Sequence, residues 1–128
     1  MPVNIVWDDA AKTILRMDIT SPGVSWDEYN SRIDDMITLT KDVEHRVDIV
    51  INAGATPMSP GSPIPHIRRT FKLLPSHVHL LVNVVTDRFA RVIVVAVGPM
   101  VFGNNFKAVE TLEDARTVID KDRATVKR

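Results

Sequence analysis

An α/β fold is what this sequence predicts, and three observations predict it. Short β-branched runs recur along the chain (VNIVW, TILRMDI, RVDIVINA, HVHLLVNVV); segments with apolar residues at helical spacing alternate with them; and turn or cap signals separate the two kinds. VNIVW and TILRMDI, divided by the polar DDAAK, predict two strands joined by a tight connection. SPGV then marks a turn, and SWDEYNSRIDDMITLT opens on Ser25, a helix cap with Glu28 at the reciprocal position and Val24 and Tyr29 at staple spacing. Trp26, Tyr29, Ile33, Met36 and Ile37 give that helix one apolar stripe to lay on a sheet.

RVDIVINA, bounded by Gly54, predicts an interior strand. In the segment after it Ser62 is the expected cap and Pro63 the first helical residue, with Ile64, Ile67, Phe71 and Leu74 on one face and Pro75 as the stop. HVHLLVNVV is a strand of largely apolar character. RFARVIVVAVGPM reads two ways: RVIVVAV has strand propensity, whereas Asp87 as a cap and Gly98-Pro99 as a stop fit a helix. NNFKAV predicts a short last strand. TLEDARTVIDKDR follows as a helix capped by Thr111 with Asp114 at the box position, turning Leu112, Ala115, Val118 and Ile119 inward, and ATVKR is the expected frayed end.

Composition narrows function by exclusion. The 128 residues fit a single domain, 1–128, with its core over about 3–123. Sixteen basic residues balance sixteen acidic ones, so no global field draws the chain to nucleic acid or to an anionic membrane. With no cysteine there is no disulfide, thiolate nucleophile or Cys-based zinc site. MPVNIVWDDA lacks a basic segment followed by an apolar core, and no apolar stretch approaches the roughly 20 residues of a membrane span, so a soluble cytoplasmic protein is expected.

In this order, IVW near the start, VDIVINA leading into a proline-rich turn, PIPHIRRTFKLLP, and FKAVETLEDARTVI at the end, the chain resembles the STAS and SpoIIAA-like domains over nearly its whole length. The resemblance implies a mixed, mostly parallel sheet of about five strands with about four helices, the first strand antiparallel to its neighbour. It also implies that 88–98 is a helix. In sporulation-type members a serine at the start of the second helix, after an Asp-Ser-Ser-Gly-like turn, is phosphorylated by a partner kinase. This chain has NAGATPMSPGSP there, with Ser59 and Ser62 near the equivalent place, and these are the candidate phosphorylation sites.

The loop 52–65 and the helix after it form the candidate ligand or anion site: Ser59, Ser62, His66, Arg68 and Arg69, where free amides at a helix start meet cationic side chains. The same pattern also reads as a proline-stiffened connection ahead of a solvated basic face. A catalytic triad would need Ser59 or Ser62, a histidine and an acid such as Asp48, with no nucleophile-elbow motif around either serine. His77 and His79, two apart at a strand entrance, fall on one face by strand periodicity and would need a third ligand, such as His45, to hold a metal. Asp34 and Asp35 read as solvated charge, and Trp7 and Trp26 as core. The expectation is a non-catalytic regulatory or ligand-binding module with no cofactor and no metal, binding a protein partner or a small anion. The alternatives are a small hydrolase or phosphate-handling enzyme at the same loop, or a structural homo-oligomer. Residues 89–101, apolar all round if helical, are the expected homodimer contact.

Overall fold

Five strands form one mixed sheet in the computed structural model, which describes residues 3–21, 23–54, 64–86 and 103–125. β1 (Val3–Trp7) pairs antiparallel with β2 (Ile14–Ile19); β3 (Val47–Gly54), β4 (Val78–Val85) and β5 (Phe106–Val109) then add in parallel, in chain order. The β1–β2 connection is closed by Asp9, whose carboxylate accepts the Thr13 and Ile14 amides at 2.8 and 3.0 Å and the Thr13 hydroxyl. Lys12, at φ 59°, supplies the left-handed step of that turn.

α1 (Trp26–Thr40) connects β2 to β3, and α2 (Ile64–Leu73) lies between β3 and β4. Strands added in one direction by right-handed crossovers put both helices on one face, where Tyr29, Ile33, Met36 and Ile67 pack on Leu15, Met17, Ile49, Ile51 and Leu81. α3 (Leu112–Thr125) follows the last strand and is no crossover. It covers the opposite face, setting Ala115 and Ile119 against Val50, Leu80, Val82 and Val84. Strands buried on both faces need continuous apolar runs, which is why β3 and β4 carry the densest ones.

The α/β class, the mostly parallel five-stranded sheet and the antiparallel first strand agree with the sequence-based expectations. Three α-helices are present among the described residues, and the expected fourth, over 88–98, lies outside them. The Ser25 hydroxyl accepts the Glu28 amide at 3.0 Å, and Thr111 does the same for Asp114 at 3.0 Å, so both expected caps form. Two boundaries differ. The last strand begins at Phe106, because Gly103–Asn105 makes a 3-10 turn opened by Gly103 at φ 77°, and α3 continues through Ala124 and Thr125 rather than fraying there.

Strand periodicity also misplaced a pair. A register shift sets Val47 opposite Val78 but Ile49 opposite Leu81, so three residues of β4 span what two span on β3. The bulge turns His79 towards α3, where its Nε2 lies 3.3 Å from Asp122, while His77 approaches the Thr40 carbonyl at the end of α1 at 2.7 Å. The two histidines therefore serve opposite layers and do not converge on a metal.

Candidate functional site

α2 is held to α1 along a polar seam. Trp26, Asn30 and Asp34 recur every four residues on α1, and His66, Arg69 and Thr70 share the facing side of α2. The His66 ring lies flat on Trp26, centroids 4.3 Å apart and planes 4° from parallel, and Tyr29 meets Trp26 edge-on at 5.3 Å. Asn30 Nδ2 stands 3.2 Å from His66 Nδ1, which ties the amide of α1 to the ring of α2. One turn on, Arg69 Nη2 donates to both Asp34 oxygens at 3.0 and 3.2 Å. Thr70 is buried, donates to the His66 carbonyl at 3.0 Å and shares a hydrogen bond with the Tyr29 hydroxyl. Burial pushes the Tyr29 phenol up to about 12, the Thr70 bond opposing it in part.

The sequence-predicted residues are thus divided. His66 and Arg69 are turned into the helix pair, and Arg68 is exposed with no ion pair among the described residues. Ser59 and Ser62 lie outside the described residues. Asp34 and Asp35, read as solvated charge, are partners of Arg69 and Arg32, both still more than half exposed. Trp7 and Trp26 pack at the margin of the core as expected, although the Trp26 stack on His66 was not anticipated. The four-residue ladder on α1, matched by His66 and Arg69 three apart on α2, was the signal available for it.

Asp48, considered as a triad acid, is engaged elsewhere. Its wholly buried carboxylate accepts Arg46 Nε at 3.2 Å, Arg123 Nε at 3.0 Å and the Leu80 amide at 3.0 Å. Arg46 continues to Asp122 at 2.8 Å, and Arg123 to the Thr13 carbonyl at 2.9 Å. This network fastens the C-terminal end of α3 to the amino ends of the parallel strands, and the geometry gives Asp48 no histidine partner. Among the described residues no three His, Asp or Glu side chains form a metal-holding group, and no helix is long and apolar enough to cross a membrane.

Comparison with protein-family models, with curated proteins and with solved structures finds no match to the chain.

Proposed function

We propose that the chain is a non-catalytic regulatory or ligand-binding module of STAS-like, SpoIIAA-like type, whose recognition surface is the proline-rich loop 52–65 with the start of α2. The observation that carries this reading is the division of labour on α2. His66 and Arg69 lock the helix to α1 through a ring stack and a two-oxygen ion pair, while Arg68 between them faces solvent on a helix that does not have to be ordered on binding. A fixed helix start with an outward guanidinium suits a phosphate or carboxylate, on a small anion or on a partner protein. Ser59 and Ser62 are the modification sites of this reading, a homodimer through residues 89–101 its assembly, and the cytoplasm its location.

The test titrates inorganic phosphate and acetate into the wild-type chain and into Arg68→Ala with Arg69→Ala. Binding should fall about tenfold or more, as for a lost charge-assisted hydrogen bond, with the melting temperature within about 5 °C of wild type. Unchanged binding, or a collapse in stability, assigns these arginines to structure and removes the proposal. Mass spectrometry that finds Ser59 and Ser62 unmodified in all growth conditions would count against a phosphoswitch, and a clean monomer in light scattering at high concentration against the dimer.

A further inference from the structure

The face of the sheet that carries α3 holds a second, separate feature at its carboxyl end. α3 lies over β3, β4 and β5, and towards β1 the same face turns polar. Register sets Asn4 opposite Asp18 and Asp18 opposite Asn52, so three polar side chains form one row across β1, β2 and β3; the neighbouring row is Val6, Arg16 and Val50. Asn4 is exposed and Asp18 and Asn52 are half-buried, so this row is the solvated margin of the face beyond α3.

A cleft of about 280 Å³ opens on this row, with Arg16, Asp18, Thr20 and Asn52 as its polar lining and Ile19 and Leu112 as its apolar one. It sits at the carboxyl ends of β2 and β3, beside the start of α3. Its floor is already fixed. Asp18 accepts Asn52 Nδ2 at 2.8 Å and Arg16 Nε at 3.0 Å; the other end of Arg16 is held by Asp8, which Arg116 grips through two bonds of 2.8 Å. The Asp18 and Arg16 side chains nevertheless remain 20% and 21% exposed.

The geometry points to this cleft as a binding site for a small neutral polyhydroxylated molecule, a sugar or cyclitol. Two aspartates and two arginines cancel locally, so an anion meets Asp18 and a cation meets Arg16, and neither gains a net field. A neutral ligand keeps every hydrogen bond on offer. Asp18 retains lone pairs beyond its two bonds, Asn52 Oδ1 accepts, and Arg16, using Nε and Nη1 among the described residues, has Nη2 to donate. Hydroxyl groups, which donate and accept, match that mixture, and the C–H face of a ring matches Leu112 and Ile19. The volume, just under the roughly 300 Å³ at which drug-sized pockets begin, sets the scale at a single ring.

The experiment is a heteronuclear NMR titration of the full ¹⁵N-labelled chain with D-glucose, D-galactose, D-mannose, myo-inositol and glycerol, and with acetate and methylammonium as charged competitors. The expected result is saturable movement of the Asn52 side-chain amide and of the Thr20, Ala53 and Leu112 backbone amides with at least one polyol. Asn52→Leu should weaken that binding about tenfold, the loss of one or two hydrogen bonds. Ala53→Leu fills the cleft without touching the polar row and should abolish binding while the rest of the spectrum stays in place; it decides the matter if Asn52→Leu does not fold. Silence from every polyol, tighter binding of acetate or methylammonium at these same cleft amides, or binding that survives in folded Ala53→Leu each overturns the assignment.

Discussion

Arg16 with Asp18, and Arg46 with Asp48, stand two residues apart, the first pair within β2 and the second at the start of its parallel neighbour β3, and the two aspartates face the same side of the sheet. One pair is closed and the other open. Asp48 is wholly buried because α3 brings Arg123 down on it and a strand amide completes its coordination. At the other end of α3 the residue that arrives is Leu112, which neither pairs with Asp18 nor seals it. A local Arg-x-Asp unit therefore has no fixed role; the helix end above it decides whether it becomes a bracket or the floor of a cleft.

Breaking both units in turn tests that contrast. Asp48→Ala leaves the buried Leu80 amide without its acceptor and takes the shared partner from Arg46 and Arg123, and should cost about 2–3 kcal/mol in urea unfolding, whereas Asp18→Ala, where water can enter, should cost about 1 kcal/mol or less. Equal losses would erase the distinction. Among the described residues of the opposite layer the buried ionisable group is the Tyr29 hydroxyl. Its pKa rises from 10.0 in the unfolded chain to about 12 when folded, so its contribution is complete below pH 10 and is lost as pH climbs towards 12, by about 2–3 kcal/mol. Because the chain has a single tyrosine, its phenolate absorbance should appear together with unfolding and not before it.

A smaller effect lies at the open pair. The Arg116 hydrogen bond, against some desolvation and with help from Arg16, holds the Asp8 carboxyl below its usual 3.8. A depressed carboxyl stabilises the fold above 3.8 and ceases to do so as pH falls through its lower folded value. Asp8→Asn should therefore lower stability at neutral pH and flatten the acid limb of the stability profile; a limb as steep as wild type would place the acid sensitivity elsewhere, Asp9 included. The least effect is expected from Arg69→Ala, at or below about 1 kcal/mol in thermal unfolding, because Asp34 is more than half exposed.

Much of the architecture was legible because it rests on local signals. Ser25 and Thr111 announce α1 and α3, and the apolar runs of β3 and β4 need two covered faces. What failed depended on pairing between distant segments. A bulge in β4 is invisible in HVHLLVNVV and moved His79 to the other layer. Of the site, the basic start of α2 was readable, but which of its cations would be taken up by α1 was not. Arg69 finds Asp34 at 35 residues' separation, and Asp48 finds Arg123 at 75. The row of Asn4, Asp18 and Asn52 is equally hidden, since each looks like an unremarkable polar strand residue until register aligns them.

The strand order has a consequence for how the chain acquires its shape. Among the described residues every strand pairs with the one before it in sequence, so none of these pairings waits for a later segment. The β1–β2 hairpin can form once the chain has been made as far as Ile19, and each further strand adds to an edge already in place. During synthesis the growing sheet always presents one unpaired parallel edge, first β2, then β3, then the apolar β4.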